Sequence, residues 1–236
     1  MAHIKNVQAF EKLLGVCTGL GGNYKPGKQN LRVSVMHSMY VKAQQTLSEV
    51  KEAKTLYNQA TNHREDLFKS TDKLASGIYN VLQASGANPL TIDDARSALN
   101  KLLKGVRSTG ERNVASVEPL PSKKWAGFGR DYSTRIQSFA QLVDIVSKDA
   151  SYSPEEEELK VETLLQQVGA LQAANTRVLQ ASLTVAKARS KRNEVLYGAE
   201  SSLYKTVKAV KAYVKGIFGV KSPSYQLLVE ARFTKH

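Results

Sequence analysis

From Lys28 to Ser76 the chain runs for 49 residues without a glycine or a proline. Apolar side chains recur along it at Val33, Met36, Tyr40, Ala43, Leu47 and Val50, and further on at Tyr57, Phe68, Ala75, Ile78 and Leu82. Steps of three and four sustained over such a distance describe a helix with one dry face. A strand would need alternation of period two, and none is present. A second run, Glu155 to Lys215, is interrupted only by Gly169 and Gly198. It predicts another very long helix, continuous or kinked at one of those glycines.

With 42% apolar residues in 236, the chain can build a real core and is no disordered tail. Cys17 is its one cysteine, which rules out an intrachain disulfide and a multi-cysteine zinc site. No secretory leader and no stretch of 18 consecutive apolar residues is legible, so no transmembrane segment and a cytoplasmic location are expected.

The two long runs read as copies. Tyr24-Lys25-Pro26 corresponds to Tyr152-Ser153-Pro154, and Leu31, Val33, Met36 and Ala43 correspond to Leu159, Val161, Leu164 and Leu171. Arg64 meets Arg192, and one inserted residue later Phe68 meets Tyr197 and Leu74 meets Leu203. Ahead of the Tyr-x-Pro element, Phe10, Leu13 and Val16 match Phe139, Leu142 and Ile145. Two amphipathic helices can align by chance, but periodicity does not account for the shared turn and leading helix.

The expected fold is therefore all-α: an elongated helical bundle of two tandem, similar halves, each with one very long helix and short flanking helices. Residues 1–105 form the first half, 106–130 a Gly/Pro-containing crossover and 131–236 the second half. Helices are expected near 6–18, 28–84 and 91–104, then near 132–148, 155–218 and 223–232. Thr91 reads as a helix cap ahead of Asp93 and Asp94, and Ser222-Pro223 as a second cap. Glu155–Glu158 after Pro154 reads as a helix start that suits the dipole, rather than as an acidic recognition site. Trp125 and Phe128, within the crossover, are expected to dock onto the helices.

Laid on a seven-residue frame, each long helix has apolar ends and a polar middle. Lys54, Thr61, Arg64 and Thr71 lie in the first seam, and Asn175, Ser182, Arg189 and Arg192 in the second. Isolated polar residues in such a seam commonly fix register. Across a local two-fold axis Arg64 and Arg192 would approach each other, and buried guanidiniums need carboxylates or an anion. Glu65, Asp66 and Glu194 are the nearest supply. The polar seam Arg64, Glu65, Arg192 and Glu194 thus reads as a salt-bridge layer, with an anion-binding notch as the functional alternative.

The formal net charge is +13, and residues 177–236 alone carry +9. Lys187, Arg189, Lys191 and Arg192 form one basic group; Lys205, Lys208, Lys211 and Lys215 flank the apolar stripe of the next stretch. This field suits an anion or partner surface, whether nucleic acid, lipid or an acidic protein. No zinc-finger spacing, aromatic RNA-binding strand or basic zipper accompanies it.

Chemistry is hard to find. His3, His37, His63 and His236 are never spaced for a metal clip, so no metal, cofactor or catalytic residue is assigned. Gly22 and Gly27-Lys28 have phosphate-loop spacing, but Gln29 stands where a magnesium-binding hydroxyl belongs and no strand precedes it. Cys17 reads as a small buried thiol. The reading that remains is a non-enzymatic helical binding or scaffolding module with a protein partner. A nucleic-acid-associated protein contacting phosphates is the alternative, and the seam leaves room for a homodimer.

The segments ARSKRNEVLYGAESSLYKTVKAVKA at 188–212 and YVKGIFGVKSPSYQLLVEARF at 213–233 carry a further hint. With FEKLLGVCTGLGGNYKPGKQNL at 10–31, they resemble a group of uncharacterised all-helical bacterial proteins, chiefly from Bacteroidetes, with an internally duplicated half. The resemblance implies the helical plan over nearly the whole chain, but no activity and no functional residue.

Overall fold

The structure, a computed structural model, describes residues 2–104, 123–198 and 200–234, with side chains from 2–103, 132–198 and 200–234. Every element among them is helical: α1 Ala2–Gly19, α2 Val33–Ala84, α3 Pro89–Lys104, α4 Lys123–Lys148, α5 Val161–Asn193, α6 Leu203–Phe218 and α7 Pro223–Glu230. None is long and apolar enough to cross a membrane, among the described residues. The side chains of Trp125 and Phe128, and most of the crossover, lie outside the described residues.

The chain divides into two compact units, and each draws on both ends of the sequence or on its middle. Residues 1–56 and 182–236 form the first unit, 57–181 the second. In the first, Phe10, Leu13, Leu14 and Cys17 of α1 meet Met36 and Ala43 of α2, Leu203, Val207, Val210 and Val214 of α6 and Leu228 of α7. In the second, Phe139, Leu142, Val143 and Val146 of α4 meet Ile78 and Leu82 of α2, Ala95, Ala98 and Leu102 of α3 and Leu164 and Leu171 of α5. Small residues on α3 let it lie close to α4. Each buried Leu, Ile, Val or Phe contributes on the order of 1.5–3 kcal/mol, so these faces are what fixes the helices.

Ahead of α2 and α5 the backbone follows the same local course. A 3-10 turn, Gln29–Leu31, precedes α2, and another, Glu157–Leu159, precedes α5. The Tyr24 hydroxyl donates to the Leu31 carbonyl at 2.9 Å, and the Tyr152 hydroxyl to the Leu159 carbonyl at 3.0 Å. Both tyrosines are buried, which makes an unmet hydroxyl expensive and explains why each closes a seven-residue loop.

Several expected boundaries move. The first long helix starts at Val33 rather than 28, because Arg32 is extended after the 3-10 turn. The acidic run Glu155–Glu158 precedes α5 instead of opening it, since Lys160 is likewise extended. Helix α3 begins at Pro89, not Thr91, and Asn88 Oδ1 accepts from the Leu90 amide at 2.9 Å. The Asn-Pro pair supplies both the side-chain acceptor and a first residue that needs no hydrogen bond. Ser222 caps α7 as read, its hydroxyl accepting from the Tyr225 amide at 3.2 Å.

The second long run breaks at Gly198 and not at Gly169. Helix α5 ends at Asn193, widens into a π-helical turn over Glu194–Gly198, and restarts after Ser202 as α6. Leu196 and Tyr197 in that turn are buried, so the extra residue re-aims two large side chains into the core. Two seam positions also differ: Lys54 and Arg189 are exposed. A straight helix drifts about 20° per heptad from a strict seven-residue frame, so Ala53 and Val185 turn inward instead.

Candidate functional site

The polar seam splits between two environments. In the second unit, Arg64 is 2% exposed, and its guanidinium lies 3.6 Å above the Tyr132 ring. Its Nη1 donates to Asn175 Oδ1 at 3.0 Å, while Nε and Nη2 have no hydrogen-bond partner among the described residues. Carboxylates were expected here and do not serve it. Glu65 is exposed, and Asp66 pairs with the exposed Lys69 at 2.6 Å. Residues one and two places along a helix point away from Arg64, so proximity in sequence was the wrong guide. A π face and an amide stand in for the missing anion.

A second arginine joins this layer. Arg135, 7% exposed, donates from Nη2 to Asp72 Oδ1 at 2.6 Å and lies 4.8 Å above the Phe68 ring. Phe68 in turn meets Tyr132 edge-on at 4.9 Å, so the two rings form a pair with one arginine on each side. The seam frame pointed to Arg64; Arg135 escaped it because α4 was read only for its apolar positions.

In the first unit Arg192 is half-buried and donates from Nε and Nη2 to Asn193 Oδ1 at 3.1 and 2.8 Å. Burial holds it below the ordinary arginine value; Tyr197 opposes this and Arg189 adds to it. Glu194 is exposed.

The basic residues of α5 and α6 divide by partner. Lys205 pairs with Glu200 at 2.6 Å, and Lys208 stands 4.7 Å from the Tyr204 ring centre. Lys211 Nζ donates to the Ala231 carbonyl at 2.8 Å, just past the end of α7, and burial lowers its pKa. A cation suits that end of a helix, so Lys211 helps hold α7 in place. Lys215 is exposed in the last turn of α6. Lys187, Arg189 and Lys191 are exposed on α5.

Two of those, Lys187 and Lys191, line a shallow groove of about 380 Å³ in the first unit. Glu49, Glu52, Ala53 and Leu56 of α2 face Thr184, Lys187, Ala188 and Lys191 of α5 across it. Both sets follow the i, i+3, i+4, i+7 spacing that puts side chains on one helical face. Lys191 Nζ bonds Glu49 Oε1 at 2.8 Å. Leu56 is 59% exposed, and Leu183, one turn before Lys187, is 61% exposed. Along the chain Lys187 and Lys191 belong to a basic group; the acidic edge opposite them comes from α2, more than 130 residues earlier, and is invisible to a local charge count.

A groove of about 640 Å³ in the second unit runs between Lys73, Leu74 and Gly77 of α2 and Glu156–Leu159 ahead of α5. Lys160 pairs with Glu157 beside it. Elsewhere, burial pushes the Cys17 thiol up to about 11, with the Tyr24 hydroxyl pulling weakly the other way, which leaves an unreactive thiol at neutral pH. Among the described residues no group of three His, Cys, Asp or Glu side chains is placed to hold a metal ion.

No protein-family model, no curated protein and no solved structure matches the chain.

Proposed function

We propose that this chain is a non-enzymatic helical binding or scaffolding module that works in the cytoplasm on a protein partner. The observation that carries the reading is the groove between α2 and α5 in the first unit, where Ala53, the 59% exposed Leu56 and Ala188 lie between charged edges on both sides. Apolar side chains standing in water at a concave face favour association with another surface. The buried, unreactive state of Cys17 fits a structural role for the residue that would otherwise be a natural nucleophile.

The module reads as two tandem, similar halves, 1–105 and 131–236, joined by the crossover 106–130. The matched Tyr24–Leu31 and Tyr152–Leu159 hydrogen bonds support that plan. So do the buried pairs Phe10 and Phe139, Met36 and Leu164, and Ala43 and Leu171. The likeness to the Bacteroidetes group of duplicated helical proteins belongs to the same proposal.

A second reading, phosphate contacts to nucleic acid, rests on the exposed Lys187, Arg189 and Lys191 and the +9 balance of residues 177–236. Capture on the immobilised full chain, with mass spectrometry, separates the two. Proteins retained through nuclease and 0.5 M salt (about three times physiological ionic strength) support the binding-module reading. Capture that vanishes with nuclease, together with duplex or single-stranded DNA affinity that falls steeply with salt, overturns it in favour of phosphate contacts.

A further inference from the structure

The groove in the first unit has a charge arrangement that selects its occupant. Its α2 edge is acidic, Glu49 and Glu52; its α5 edge is basic, Lys187 and Lys191; between them lie Ala53, Leu56 and Ala188. One pair is spent inside the chain, Lys191 on Glu49. Among the described residues, Glu52 accepts only from the Ser48 hydroxyl at 2.9 Å and Lys187 has no acidic partner. Each copy therefore presents one unspent anion and one unspent cation on opposite edges of an apolar strip.

A surface with that layout is complementary to itself. Rotation by 180° about an axis through the strip lays the α2 edge of one copy on the α5 edge of another. Glu52 then meets Lys187 of the other copy twice over, and the exposed Leu56 adds apolar surface to the contact. This is the isologous arrangement of a two-fold dimer, in which residue i contacts j and j contacts i. A nucleic acid would be repelled by the Glu49/Glu52 edge, and a purely acidic or purely basic protein would meet one like-charged edge.

From this we propose that the α2–α5 groove of the first unit is a self-association surface whose occupant is a second copy of the chain. The proposal rests on the binding-module reading and names one of its partners.

Sedimentation velocity of the full chain over a hundredfold concentration range tests it. The expected result is a species of twice the 25.9 kDa chain mass at the upper end. Glu52→Lys alone and Lys187→Glu alone each weaken association roughly tenfold or more, because each sets like charges against each other in two places, while the double swap recovers most of the affinity. Leu56→Lys also weakens it, and its side chain is exposed enough that the helical circular dichroism stays unchanged. A monomer at every concentration, or a dimer indifferent to both single reversals, overturns the proposal. Neither outcome touches nuclease-resistant capture of other proteins, so the two readings fail separately.

Discussion

Asn6 on α1 and Arg135 on α4 occupy like places, each one turn ahead of a phenylalanine, Phe10 and Phe139, that is wholly buried. Their surroundings differ. Asn6 donates to the Tyr197 hydroxyl at 2.8 Å and the Thr234 carbonyl at 2.7 Å, and accepts from the Thr234 amide at 3.0 Å. It is a neutral clamp with every bond made, tying the C-terminal segment to α1. Arg135 is a cation with one carboxylate, one aromatic face and an Nε that has no partner among the described residues, in the same layer as Arg64, two of whose nitrogens have none among them either. Similar apolar side chains can thus hold helices around two quite different polar layers. Apolar positions set the packing; polar ones between them change freely so long as hydrogen bonding is met.

The largest expected effects probe what the two regions share. Phe10→Ala and Phe139→Ala each remove a fully buried ring, and each should cost about 3–5 kcal/mol in urea denaturation. Losses that agree within about 1 kcal/mol would sharpen the parallel between the cores. A near-neutral result at either position would break it, because that helix would then not be held by its phenylalanine.

Smaller effects should expose the contrast. Asn175→Leu strips Arg64 of its one acceptor among the described residues and should cost about 2–3 kcal/mol, much of it the penalty of an unmet buried cation. Arg64→Met keeps an elongated side chain without the charge and should shift stability by about 1 kcal/mol or less, in either direction. In the first unit Asn6→Leu should cost about 2 kcal/mol, with no charge-removing variant able to rescue it. A loss above about 3 kcal/mol for Arg64→Met would show its guanidinium to be well satisfied, and the contrast with Asn6 would fall.

How much of this was legible in the chain follows from which forces are local. Met36, Ala43, Ile78 and Leu82 are placed on the inward face by spacing alone, since a helix converts period into face without help from the rest of the fold. The Ser222 cap was legible for the same reason: its acceptor and its donor are three residues apart. The partners of Arg64 were not, because Tyr132 and Asn175 come from other helices, 68 and 111 positions away. The break after α5 was half legible. Glycine marked two candidate points, but the choice of Gly198 depends on Leu196 and Tyr197 finding room in a core built by α1 and α6. Opposed charges across the α2–α5 groove were hidden because no linear count of lysines reports which helix lies alongside.

The mildest test uses the two tyrosine turns. Tyr24→Phe and Tyr152→Phe each delete one buried hydroxyl-to-carbonyl bond and should cost about 1 kcal/mol apiece at pH 7. Alkaline pH then separates them. Cys17 rises from 9.0 to about 11 on folding through burial, so below pH 9 it is neutral in both states and its contribution is whole. Between 9 and 11 the unfolded chain gives up the proton while the folded chain keeps it, and stability falls as pH rises. Tyr152, raised from 10.0 to about 12 by burial and by Glu156, loses its contribution only from about pH 10 upward. Tyr24 is raised in the same sense, by burial first and then by Cys17, and also starts near 10. Denaturation midpoints from pH 8 to 11 should therefore begin to drop near 9 in the native chain. In Cys17→Val, which places in the first unit the residue type that Val146 supplies in the second, the onset should move to about 10. An onset that stays near 9 without the thiol would mean that the two turns do not differ through Cys17.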